Sequence, residues 1–166
     1  MRQAILLLVV AGLGPQGMAW AVDTEEARPA PLAFEVHSGY FVSNKFEPKA
    51  AESFVAIADQ AEFDKIFGVA RVMRDKSHRL AKDAFKSKLV VAAIKRGKAF
   101  WTYSVQQVTL RGGVVRIRYT ATAKKSESAT FACPLIVSIP KGTYSAVQFV
   151  ENKKAVKTVT VGKKSP

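Results

Sequence analysis

Apolar and polar residues alternate most regularly in the second half of the chain. In WTYSVQQVTL, residues 101–110, Trp101, Tyr103 and Val105 alternate with Thr102, Ser104 and Gln106; in VVRIRYTAT, residues 114–122, Val115, Ile117 and Tyr119 alternate with Arg116, Arg118 and Thr120. A period of two puts each set on its own side of a strand, so both segments predict sheet that is buried on one face and wet on the other. Arg111-Gly112-Gly113 joins them as a hairpin turn. Further β runs stand at KLVVAAIKRG (88–97), TFACPLIVSIP (130–140), YSAVQFV (144–150) and AVKTVTV (155–161), separated by the loop KKSES and by turns at Lys141-Gly142-Thr143 and ENKK. Their spacing suits an antiparallel meander or a compact sandwich. Pro134 and Pro140 bracket LIVSI and predict a strand at a sheet edge, or one that begins and ends there, because proline cannot donate to a ladder.

The first half is less regular. FEVHSGYFV (34–42) and SFVAIA (53–58) read as short β runs separated by the turn-rich SNKFEPKAAE. Asp59, with Glu62 three residues on, forms a capping-box pattern; Phe63, Ile66 and Phe67 then share one helical face, and Gly68 supplies a stop. A short amphipathic helix over about residues 60–67 follows. Residues 69–86 carry charges of both signs without a clean period and read as a loop or irregular helical excursion. The fold class expected is α+β, mainly antiparallel β, as a meander or compact sandwich with one short amphipathic helix packed on it.

At the start of the chain, Arg2 precedes the apolar run AILLLVVAGLG, and Ala19-Trp20-Ala21 follows. A basic start, an apolar stretch short for a bilayer and an A-x-A exit read as a secretory signal peptide over residues 1–21, cleaved after Ala21. The expected location is the periplasm or the cell exterior. Residues 22–33, VDTEEARPAPLA, suit an extended leader, and residues 34–166 a single α+β domain. No later segment is long and apolar enough to cross a membrane as a helix.

The 166 residues hold 26 Lys and Arg against 13 Asp and Glu, a net charge of +13, with two His and one Cys. One cysteine forbids an intramolecular disulfide, and Cys133, inside an apolar run, reads as a buried thiol. His37 and His78 lack neighbouring ligands at metal spacing, so no metal or other cofactor is expected. His37-Ser38 are adjacent and point to opposite faces of a strand, no carboxylate pair is distinctive, and RGG and KRG are turns without a following helix. No catalytic residue is assigned, and an enzyme is the least favoured reading.

The cations say more. Arg71, Arg74, Lys76, Arg79 and Lys82 concentrate in one segment, which as a surface would attract a polyanion; for an exported chain this means acidic polysaccharide or anionic lipid, not nucleic acid. Phe100 and Trp101 form an apolar pair beside the basic turn Lys95-Arg96-Gly97-Lys98 and read as a contact patch for a protein partner.

The order of these features resembles the C-terminal domain of the bacterial PrcB-like protease-complex subunit family. The corresponding residues are the helical pair Phe63-Asp64, Val90-Val91 with Gly97, the central Tyr103, and the run from Pro134 through Leu135, Ile136, Val137, Ser138 and Ile139 to Pro140-Lys141. Together they span about residues 53–150. The chain departs from the family in Phe100-Trp101-Thr102, where a glycine pair is usual before the Tyr, and in the long segment 69–86. The resemblance implies an accessory or binding domain without catalytic residues, associated with a secreted protease or another envelope protein.

Overall fold

The computed structural model describes residues 28–70 and 78–162. Its strands, in chain order, are β1 (Ala30–Pro31), β2 (Glu35–His37), β3 (Tyr40–Val42), β4 (Glu52–Ile57), β5 (Phe67–Val69), β6 (Lys88–Gly97), β7 (Ala99–Arg111), β8 (Val114–Lys125), β9 (Phe131–Pro140), β10 (Ala146–Glu151) and β11 (Lys154–Thr160). A helix, α1 (Gln60–Ile66), separates β4 from β5, and a one-turn 3-10 helix spans Ala84–Lys86. The architecture is α+β and mainly antiparallel, as the alternation predicts.

Two sheets face each other, one of five strands in the order β1-β7-β8-β10-β11 and one of four in the order β2-β9-β6-β4. Val91, Ala93, Leu135 and Val137 of the second sheet meet Val108, Ile117, Tyr119 and Phe149 of the first. The other side of the four-stranded sheet is also covered. There Val90, Ala92, Ile94 and Ile136 pack against Phe63 and Ile66 of α1 and against Val42 and Phe67 of the ribbon β3–β5. Burial on both faces explains why LVVAAI in β6 is continuously apolar and does not alternate.

The helix forms where the sequence predicts it. The Asp59 carboxylate caps it by accepting the Glu62 N–H at 2.8 Å, and Phe63 and Ile66 are buried. It ends one residue earlier than Gly68 suggests, because Phe67 turns extended to open β5. Gly68 has a different use: a Cβ there would lie 2.3 Å from Cζ of the Phe41 ring, which rests on it across the ribbon.

Four expectations are revised. The run 34–42 is two strands, β2 and β3, which join different sheets across a bend at Gly39, φ +81°. The prolines do not place β9 at an edge. It lies between β2 and β6, and β2 covers only Ile136 to Ser138, so Pro134 and Pro140 fall outside the stretch that β2 pairs. The meander is interrupted, because β9 crosses to the other sheet and β10 returns parallel to β8. Lastly, the end of the expected leader is part of the fold: Ala30 and Pro31 pair with Leu110 and Thr109 of β7, and the Leu32 N–H donates to the Val108 carbonyl at 2.9 Å.

Candidate functional site

The corner where β6 passes into β7 gathers the contact pair and several cations. Gly97, at φ +132°, makes the bend, in a conformation that favours glycine. Phe100 follows, 48 % exposed, with its ring edge-on to Phe131 of β9 at 5.5 Å between centroids. Trp101 points the other way, half-buried against the core between the sheets. Its backbone N–H donates to Cys133 Sγ at 3.3 Å, and the Lys95 ammonium lies 4.5 Å from its ring centroid.

Lys95 is the anchor of that arrangement. Its side chain is buried, with Nζ 2.6 Å from Glu52 Oε1 and 2.9 Å from Glu151 Oε1. Burial pulls its pKa down, but the two carboxylates more than offset this and hold it above the ordinary lysine value. The Tyr119 hydroxyl donates to Glu151 at 3.0 Å, and the Tyr103 hydroxyl donates to the Cys133 carbonyl at 2.9 Å. Burial raises both phenols well above their usual range, so they remain protonated donors. Every charge in the cluster is paired, and its consequence is mechanical: it fixes Trp101 beneath the corner.

Arg96 projects to the opposite side of β6. Its Nη1 donates to Ser53 Oγ at 2.7 Å and to the Ala50 carbonyl at 3.3 Å, and its Nη2 to the Phe46 carbonyl at 3.0 Å. Burial lowers its pKa from the ordinary arginine value, and its guanidinium lies 5.9 Å from the Phe46 ring centroid. Arg96 also lines two open clefts. One, of about 630 Å³, includes Phe46, Lys49 and Phe131; the other, of about 420 Å³, includes Lys98, Trp101 and Lys125. No carboxylate lines either cleft among the described residues.

The proposed anion segment is placed only in part. Arg71, Arg74 and Lys76 lie outside the described residues. Arg79 is turned into the fold, with Nη2 donating to the Ala70 carbonyl at 3.0 Å and its stem against Gly39, while Lys82 is exposed. Cys133 is buried and free, as its apolar setting predicts.

One pair escaped the sequence reading. His37 is buried, with Nε2 2.8 Å from Ser138 Oγ and Nδ1 3.2 Å from the His78 carbonyl. Burial lowers its pKa, which favours the neutral tautomer that donates from Nδ1 and accepts at Nε2. A base touching a hydroxyl is the start of a nucleophile, but Ser138 is only 1 % exposed, so an incoming carbonyl carbon has no path to Oγ. The two residues are 101 positions apart, and only the β2–β9 register brings them together.

Among the described residues there is no grouping of three His, Cys, Asp or Glu able to hold a metal, and no helix is long and apolar enough to cross a membrane. No family model, curated protein or solved structure matches the chain.

Proposed function

We propose that this chain is an exported, non-catalytic binding domain that docks an acidic segment of an envelope or secreted protein, a secreted protease among the candidates, at the β6–β7 corner. The observation that carries this reading is Phe100, half exposed yet held by Phe131, above a locked Trp101 and beside Lys98 and Lys125, with no carboxylate among the described residues that line the clefts. A ring already fixed by its neighbours loses little freedom on binding, so more of its contact energy reaches the complex. The cations steer an acidic partner and set its register. Export rests on the signal-like residues 1–21, and the protease association rests on the PrcB-like motif order.

The test uses the tagged mature chain, residues 22–166, against extract from the envelope and medium of the cells that make it, eluted with a salt gradient. A discrete protein should be retained well above physiological salt. Phe100→Ser should release it while the chain still unfolds in one cooperative thermal transition. Equal retention by Phe100→Ser, or elution of anionic polymer or lipid alone, refutes docking at this corner.

A further inference from the structure

The outer face of the five-stranded sheet carries a second pattern, which ends at the docking corner where Lys124 pairs with Phe100. Its outward positions hold Arg111, Arg116, Arg118 and Lys124, while Glu151, the single acid of strands β7, β8, β10 and β11, is turned inward to Lys95 and Tyr119. Along β8 the exposed, outward positions are Arg116, Arg118, Thr122 and Lys124, with Thr120 half-exposed between them. From Arg116 to Lys124 this row runs about 27 Å at ~3.4 Å per residue. Across the ladder stand more hydroxyls and amides, because Thr102 pairs with Thr122, Ser104 with Thr120, and Gln148 with Arg116.

At one end of the row a cleft of about 460 Å³ opens, lined by Pro29, Thr109, Arg111, Arg116 and Gln148. Arg116 is held in place there by donating from Nε to Gln148 Oε1 at 2.7 Å, which leaves the outer edge of its guanidinium for a ligand. On this sheet the large apolar side chains left exposed are Phe100, at the start of β7, and Val156, on the edge strand. The central face offers hydroxyls and guanidinium groups, with no apolar wedge for a lipid surface.

We propose that this face binds a linear acidic polysaccharide of the uronate type. Cations spread along one strand, with hydroxyls between them, match a polymer carrying several carboxylates better than a compact anion, and arginine pairs with carboxylate through two parallel hydrogen bonds. The hydroxyl and amide positions between the cations meet the sugar hydroxyls. They distinguish this ligand from an acidic chain that has none.

The probe is polygalacturonate, measured by calorimetry or retention on the immobilised full chain, beside polyglutamate of equal charge number and vesicles of phosphatidylglycerol. Polygalacturonate should bind about tenfold more tightly than polyglutamate, with affinity falling steeply between about 50 and 200 mM salt. Arg118→Gln should weaken binding and lower the salt slope by about one. The double variant Thr102→Val with Thr122→Val keeps β-branched residues in the strands. It should weaken polygalacturonate and leave polyglutamate unchanged. Arg118→Gln, away from the Lys124–Phe100 pair, separates this face from the docking corner, since it should weaken the polymer and retain the protein partner. Equal affinity for the two polymers, binding to vesicles alone, or Arg118→Gln binding as wild type with an unchanged melt overturns the proposal.

Discussion

His37 illustrates how one buried residue ties stability to pH. Its imidazole is neutral in the fold because burial opposes the charge, while the unfolded chain titrates at the ordinary value of 6.5. The native pKa lies below the unfolded one, so the contribution is complete above 6.5 and is lost as pH falls from that value through the depressed native value. Glu35, whose carboxylate is held low by its 2.6 Å bond to Lys88, adds a loss at more acidic pH. Thermal midpoints should therefore fall from about pH 7 toward pH 5, and His37→Gln should flatten that limb. A wild-type midpoint that is level across this range contradicts the neutral, buried assignment.

Lys95 shows the opposite balance, a charge kept by its partners. The two carboxylates around it are not equivalent, because the Glu52 side chain is 45 % exposed and that of Glu151 only 11 %. Water replaces Glu52 readily, whereas removing the Glu151 charge leaves a buried ammonium and the Tyr119 hydroxyl short of an acceptor. Glu151→Gln should cost about 1 to 3 kcal/mol, against under about 1 kcal/mol for Glu52→Gln. Denaturant melts of the two variants measure the difference, and equal costs would place the working partner of Lys95 elsewhere.

At the scale of elements, the helix and ribbon act as a lid over the second face of the four-stranded sheet. Phe67 belongs to both, since it closes α1, opens β5 and packs its ring, tilted by 43°, at 5.0 Å from Phe63. Phe67→Ala removes a side chain that is 3 % exposed and leaves a hole that two separate elements would have to fill. A loss of about 3 to 5 kcal/mol is expected in a chemical melt. A loss near zero would mean that the ribbon does not seal this face.

Elements were legible to different degrees for physical reasons. Strands β7 and β8 declare themselves by period, and α1 by its Asp59 cap. The rank of a strand within its sheet leaves a weaker trace: β9 looks like an edge because of Pro134, and only the shortness of β2 reconciles that proline with a central position. The corner is similar. Phe100 and Trp101 stand out as an apolar pair in a basic turn, whereas Phe131 and Lys125 reach it through the β6–β9 and β7–β8 registers, which no local pattern encodes. Glu52, Lys95 and Glu151 come from three strands, so their meeting is likewise a product of topology.

For the whole molecule, the five-stranded sheet decides where the folded unit begins. Composition places that boundary at Phe34, after a proline-rich stretch, but the sheet places it earlier. β7 is thirteen residues long, and on the side away from β8 its pairing comes from β1, opposite Leu110 and Thr109. Leu32 then packs against the core between the sheets. A chain that starts at residue 34 would lose one side-chain packing contact, the Leu32 to Val108 hydrogen bond and the cover over that stretch of β7. The packing term alone is about 1 to 3 kcal/mol, and the bared strand would offer backbone donors and acceptors to a second chain. Starting at residue 34 should therefore lower the melting midpoint and raise the tendency to self-associate in light scattering, relative to a chain starting at residue 28. Identical melts and identical monomers would show that residues 30–32 lie on the sheet without supporting it.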